Sequence, residues 1–152
     1  MGNVMGKVMA VCISESKGTA KQNVGRALCH ENHGFVGDAH AGNWHRQVSL
    51  LSFDRVEEFK SRGVRVGPGD FGENLLVAGI EFKALAVGTR LRCKQVELEL
   101  TQIGKQCHHG CRIFQAVGDC IMPRDGVFAR VLQGGEIEVG DSLQVIAEEE
   151  NE

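Results

Sequence analysis

Four residues able to ligate a metal or do sulfur chemistry fall within five consecutive positions: Cys107, His108, His109 and Cys111, in GKQCHHGC (104–111). A second set lies upstream in CHENHGFVGDAHAGNWH (29–45), with Cys29, His30, His33, Asp38, His40 and His45. Two chemistries suit such residues. Zinc is held by closely spaced Cys/His pairs drawn from two places in a chain. Cys107 with Cys111, and Cys29 with His33, supply permissible but undiagnostic pairs. The other chemistry needs a single thiolate, stabilised by nearby positive charge, as a nucleophile or sulfur carrier. Lys105, Arg112 and an imidazolium of His108 or His109 are such neighbours. If a helix begins near Gly110, Cys111 occupies its first turn, where exposed N–H groups favour an anion. Cys107 then sits on the loop before it, where a second thiol could resolve a persulfide through a transient disulfide. The plain alternative is that Cys111 is a small buried hydrophobe.

Among the histidines, His40 is the first functional candidate, in a glycine-rich stretch beside Asp38, which could orient it. His30, His33 and His45 read as exposed loop residues, and Trp44, the single Trp, packs nearby or lines a pocket. Cys12 and Cys93 belong to apolar strands and read as core; Cys29 and Cys120 are undecided. GPGDFG (67–72) matches Gly-x-Gly-x-x-Gly but lacks the strand before and helix after that a dinucleotide site needs. The overlapping GDFGENL (69–75) could offer backbone N–H groups around Gly72 and Glu73, and the Asn74 amide, to an anion. The plainer reading, and the one favoured here, is an ordinary turn with Glu73 solvated and Asn74 satisfying local backbone.

The elements that must position these residues are mostly strands. Aliphatic alternation marks GKVMAVCIS (6–14), QVSLLS (47–52), VELELTQ (96–102) and GVFARVLQ (126–133). Val96, Leu98 and Leu100 are predicted on one face of their strand, and Val127, Ala129 and Val131 on one face of theirs. LAVGTRLRC (85–93) and IEVGDSLQV (137–145) share Val-Gly-x-x-Leu, with Gly88 and Gly140 as turn residues. One helix is clear in SFDRVEEFKSRG: Ser52 caps it, Phe53, Val56 and Phe59 form its apolar face, and Gly63 ends it. A second is expected from Gly110 to about Val117. The sum is a mainly β domain over 1–147, a closed or partly open β-barrel with a few short α-helices, followed by an acidic tail over 148–152.

Bulk composition agrees. The chain has 152 residues, 42% of them hydrophobic but only 5% aromatic, so its core is mainly aliphatic. A core of that size does not need zinc to fold, which makes zinc the weaker metal reading. Twenty glycines against two prolines suit short strands joined by tight turns. A formal net charge of −3 argues against nucleic-acid or membrane-surface partners. No signal sequence is evident at the N-terminus, so the protein is expected in the cytoplasm, where its six cysteines stay reduced.

Taken in order, GFVGDAHAG (34–42), RQVSLLS (46–52), GDFGENL (69–75), LTQIGKQCHHGC (100–111) and DGVFARVLQGGEIEVGDSLQV (125–145) resemble the MOSC domain, found at the C-terminus of molybdenum cofactor sulfurases and as stand-alone proteins. The resemblance implies a β-barrel-like fold and a functional cysteine that carries sulfur or ligates molybdenum in the molybdenum cofactor (molybdopterin). Cys111, followed by Arg112-Ile113-Phe114, matches that cysteine best, and Cys107 second. The family's Gly-Asp-Arg-His appears as Gly37-Asp38-Ala39-His40, so a phosphate contact would fall to Arg46 or Arg130, whose guanidinium groups suit phosphate. The loops around Asp38–His40 and Gly72–Asn74 would line the cleft. The chain is too short for the pyridoxal-phosphate domain of full sulfurases, so the resemblance implies a separate sulfur donor such as a cysteine desulfurase, and a molybdoenzyme acceptor. Two alternatives stand beside this: a molybdenum-cofactor oxidoreductase acting on N-hydroxylated compounds, and a non-enzymatic zinc-binding or interaction domain.

Overall fold

A computed structural model describes residues 5–16, 20–63, 65–104 and 126–146. In chain order the elements are β1 (Met5–Ile13), β2 (Gln22–Asn23), β3 (Arg26–His30), β4 (Gly34–Phe35), β5 (Val48–Ser52), α1 (Phe53–Lys60), β6 (Leu75–Ala78), a 3-10 turn (Phe82–Ala84), β7 (Arg90–Cys93), β8 (Val96–Ile103), β9 (Val127–Gln133), β10 (Gly135–Glu138) and β11 (Ser142–Ile146). The expected second helix from Gly110 lies outside the described residues, as does the acidic tail.

Seven strands close into a barrel in the order β1-β11-β7-β8-β9-β5-β6, and β6 pairs back onto β1. Closure removes sheet edges from the ring. All neighbours are antiparallel except β5 and β6, where Leu50 pairs with Leu75 and Ser52 with Val77. A parallel pair needs a crossover, and α1 with the loop after it supplies one. A small sheet, β10-β3-β4, lies alongside.

The alternation read from the sequence sets the inside of the barrel. Leu98 pairs with Val131, Leu100 with Ala129 and Ile103 with Val127, across two irregularities in register. These side chains join Val8, Leu50, Leu75, Val77, Leu91 and Leu143 in one core. β5 departs from alternation because both of its faces are covered. Leu50 points to the barrel core, while Leu51 joins Leu76, Val56, Phe59 and Phe71 in a second cluster beneath α1. Burying Val56 and Phe59 contributes about 1.5–3 kcal/mol each, more than the intrinsic helical preference of an eight-residue segment. Ser52 accepts the Arg55 N–H as N-cap, and Gly63 N–H closes the end on Lys60 O.

The two Val-Gly-x-x-Leu segments are one turn used twice. Gly88 N–H donates to Leu100 O while Leu100 N–H donates to Thr89 O. Gly140 N–H donates to Val8 O while Val8 N–H donates to Asp141 O. Both glycines have φ of 97°, the left-handed region that favours glycine. The strands that follow them pair with each other, Leu91 opposite Val145. Among the described residues no helix is long and apolar enough to cross a membrane.

Candidate functional site

Past β1 the chain turns through Ser14, and the loop after β4 folds back over it. Ala39 N–H donates to Ser14 O at 2.7 Å, and Asp38 N–H to Phe35 O at 3.1 Å. This brings Asp38 against Lys21, with 2.7 Å between Nζ and Oδ1 and neither side chain exposed. Removing two charges from water is costly unless each is paired and hydrogen-bonded. Here Asp38 Oδ1 also accepts the Ser14 N–H at 3.0 Å, and Oδ2 accepts the His40 N–H at 3.2 Å. Lys21 Nζ lies 3.3 Å from Ser14 Oγ and 3.0 Å from His40 Nδ1. Asp38 therefore holds His40 through its backbone, and the cation that meets the imidazole ring is Lys21.

The glycine-rich loop 67–72 braces this cluster. Lys21 N–H donates to Gly69 O at 2.9 Å. Gly69 has φ of 86°, and a Cβ there would lie 1.9 Å from Lys21 O, so only glycine fits. Glu73 is fully buried, with its carboxylate accepting the N–H groups of Gly69 (2.7 Å) and Phe71 (3.2 Å). Burial nonetheless pushes its carboxyl up to about 7, with Asp70 adding to the rise and the backbone donors opposing it. Asn74 is the other buried polar group here: Oδ1 accepts from Ser49 N–H at 2.9 Å and Nδ2 donates to Cys12 O at 2.9 Å. It clamps β5 to β1, two strands separated by β6 in the barrel. Gly72 contributes its carbonyl to Ser49 Oγ. Asn74 does satisfy backbone, though backbone distant in sequence, while Glu73, expected to be solvated in an ordinary turn, is buried because the N–H groups of Gly69 and Phe71 donate to its carboxyl.

Between His40 and β5 the chain passes beside the end of β8. Trp44 Nε1 donates to His40 O at 2.8 Å. His45 Nε2 and Arg46 Nε each lie 3.0 Å from Gln102 Oε1, and Thr101 Oγ donates to His45 O. Arg46 also lies over the Phe128 ring at 5.1 Å. Gln102 Nε2 in turn donates to Gly104 O at 2.7 Å, and Gly104 N–H to Gly126 O at 2.6 Å. The segment that carries Cys107, His108, His109, Cys111 and Cys120 lies between those two glycines, outside the described residues. A cleft of about 340 Å³ beside this junction is lined by residues including Asn32, Trp44, His45, Thr101 and Arg130. Within it Arg130 is paired to Glu99 at 2.8 Å.

The remaining cysteines are core residues. Cys12, Cys29 and Cys93 are all buried, and burial pushes each thiol up to about 12. For Cys12 the buried Glu73 adds to the rise and Lys21 opposes it; for Cys29 the second cause is Cys93. Cys29 faces the barrel core while His33 is exposed in the following turn, so the pair needed by the zinc alternative is split. His30 is exposed as expected, but it ends β3 instead of lying in a loop.

A model of the MOSC domain matches residues 37–144. The chain belongs to the MOSC domain family. This family is associated with molybdenum-cofactor-related proteins. Solved structures share the MOSC barrel. The YuaD protein of Bacillus subtilis superposes with a TM-score of 0.80 at 20% identity, over 97% of this chain and 99% of that one. YiiM of Geobacillus stearothermophilus gives 0.68 at 16% identity, over 93% and 75%. YiiM of Escherichia coli gives 0.64 at 16% identity, over 99% and 73%. At these identities the likeness is one of fold. No curated protein matches the chain in sequence.

The MOSC match takes in Asp38, His40, Arg46, Glu73, Cys107, Cys111 and Arg130 but begins after Ser14 and Lys21. Those two, with Gln102, are the residues that sequence reasoning missed. Lys21 stands in a polar stretch, SESKGTAKQ, where a lysine is ordinarily solvated. Nothing local marks its burial; only the chain folding back at Asp38 creates it.

Proposed function

We propose that this MOSC protein binds the molybdenum cofactor or carries sulfur for it, with Cys111 as the working thiol. The observation that carries the reading is the state of the other cysteines. A carrier or metal ligand must be a thiolate, and Cys12, Cys29 and Cys93 are buried thiols held near 12. Thiolate chemistry then falls to the segment holding Cys107, Cys111 and Cys120, where Cys111 matches the family position. The Gln102 junction supports the same reading, because it ties the loop bearing His40, His45 and Arg46 to Gly104, three residues before Cys107.

The residues present suit such a cofactor chemically. Arg46 and Arg130 are the cations that would meet a phosphate, and the cleft beside His45, which mixes polar Asn32 and Thr101 with apolar Trp44, Val87 and Leu100, would suit a flat heterocycle. The cofactor, when bound, would supply a metal centre that accepts a soft thiolate ligand. In the sulfur-carrying role, the Cys111 thiolate attacks the outer sulfur of a persulfide on a donor such as a cysteine desulfurase. One S–S bond forms and one breaks, the donor leaves as its thiolate, and no oxidant is required. Cys107 would then attack the Cys111 sulfur of that persulfide, releasing the outer sulfur as hydrosulfide for a molybdoenzyme acceptor and leaving a Cys107–Cys111 disulfide that a thiol reductant must reopen before the next cycle.

The test is retention. Purified parent protein is expected to hold molybdopterin after expression in cells that make it, or persulfide after exposure to a persulfide donor, and Cys111→Ala is expected to hold neither. Equal retention by the variant would remove Cys111 from this role.

A further inference from the structure

We infer that Lys21 is a positioning residue that fixes His40 as a neutral imidazole protonated on Nε2. The second ring nitrogen of His40 thereby carries an N–H and not a proton-accepting lone pair.

The argument is one of counting hydrogens. An ammonium group has three N–H donors and no lone pair. Lys21 Nζ has three acceptors around it: Asp38 Oδ1 at 2.7 Å, His40 Nδ1 at 3.0 Å and Ser14 Oγ at 3.3 Å. Asp38 is an acceptor by nature. Ser14 Oγ directs its own hydrogen to Ser16 O at 3.2 Å, which leaves a lone pair for Lys21. The third hydrogen goes to His40 Nδ1, and Nδ1 must then be unprotonated. A proton there would set two N–H groups head to head at hydrogen-bond distance. The Nδ1–H tautomer and the imidazolium both carry that proton, so both are disfavoured. The neutral ring keeps its single hydrogen on Nε2.

Lys21 Nζ forms an ion pair with the Asp38 carboxylate at 2.7 Å, with both side chains fully buried. Asp38 is itself saturated by Lys21, Ser14 N–H and His40 N–H, so it has no hydrogen to contribute. The buried Lys–Asp pair thus works as a unit whose output is the orientation and protonation of one half-buried ring. A ring fixed in this way favours an acceptor with negative charge: a thiolate or persulfide sulfur, or a phosphate oxygen. The functional part of this inference rests on the reading of the site given above, whereas the tautomer does not.

The experiment is long-range 1H–15N correlation NMR of the imidazole rings in uniformly 15N-labelled, ligand-free protein at pH 7. His40 is assigned by loss of its signals in His40→Gln. The expected result is a single Nε2–H pattern for His40 in the parent. Lys21→Met is expected to convert it to a mixture of tautomers or to imidazolium, and Lys21→Arg, which keeps a cationic donor, to restore the parent pattern. An Nδ1–H or imidazolium pattern in the parent overturns the inference, as does a folded Lys21→Met protein with the pattern unchanged. Should Lys21→Met not fold, the parent spectrum still decides. Because no cofactor is present, failure here is distinct from failure of Cys111 to retain molybdopterin or persulfide.

Discussion

Removing either member of the Lys21–Asp38 pair is expected to cost much more stability than removing both. Lys21→Met leaves Asp38 with only backbone donors, and Asp38→Asn leaves a buried ammonium without a counter-charge. Both side chains are fully buried, and breaking a pair in that setting costs about 3–5 kcal/mol. For a domain of this length that is a fall in Tm of roughly 6–20 °C. The double variant Lys21→Met/Asp38→Asn buries no unpaired charge. The amide oxygen it places at position 38 still accepts from Ser14 or His40 N–H, the donors that Asp38 serves at 3.0 and 3.2 Å. One backbone donor loses part of its partner, at about 1–3 kcal/mol. The double variant should therefore cost less than either single variant, which gives a coupling energy of at least about 3 kcal/mol. Urea denaturation of the four proteins at one pH measures the cycle. Additivity within about 0.5 kcal/mol would show that the two residues do not act as a pair. Single-variant losses under about 1 kcal/mol would show that the pair is solvated like a surface salt bridge.

Three further outcomes follow from the same region. Burial holds the Glu73 carboxyl near 7 against an ordinary 4.5. Its contribution to stability should be whole below the lower value, decline as pH rises between them, and be lost above the higher one. The stability of the parent relative to Glu73→Gln should thus fall across that window, by on the order of 3 kcal/mol, and a difference constant with pH would refute the burial argument. Gly69→Ala meets both a φ of 86° and a Cβ position 1.9 Å from Lys21 O, whereas Gly63→Ala meets only a φ of 89°. Gly63→Ala should cost about 1–2 kcal/mol and Gly69→Ala clearly more; equal losses in thermal denaturation would contradict the close approach. Finally, Cys12, Cys29 and Cys93 should resist alkylation in the native protein at pH 8 and react on unfolding. Peptide mass spectrometry after a short iodoacetamide pulse checks this, and rapid labelling of any of the three would mean that its burial is wrong.

Much of the barrel was legible in the sequence because a strand announces which of its faces is wet. Val96, Leu98 and Leu100 alternate with polar residues, Val127, Ala129 and Val131 alternate with Phe128 and Arg130, and both sets face the barrel core. Ser52, Val56, Phe59 and Gly63 mark a helix whose cap, face and end all lie within a dozen residues. The paired Val-Gly-x-x-Leu turns were visible for the same reason, since a backbone that needs positive φ asks for glycine locally.

The site divides differently. By residue type and spacing the sequence alone singled out Asp38, His40 and the Cys107–Cys111 cluster, and it marked Cys12 and Cys93 as core. It also set Asp38 beside His40, which is true of the chain but not of the ring. Only the tertiary structure decided that Lys21 would be buried against Asp38, that Cys29 would join the core, and that Gln102 would gather His45 and Arg46 at Gly104. The reason is range. Periodicity, caps and turns are fixed by neighbours within a few residues. The partners of a buried charge are fixed by closure of the barrel and the return of a loop, 17 residues away for Lys21 and Asp38 and 56 for Arg46 and Gln102.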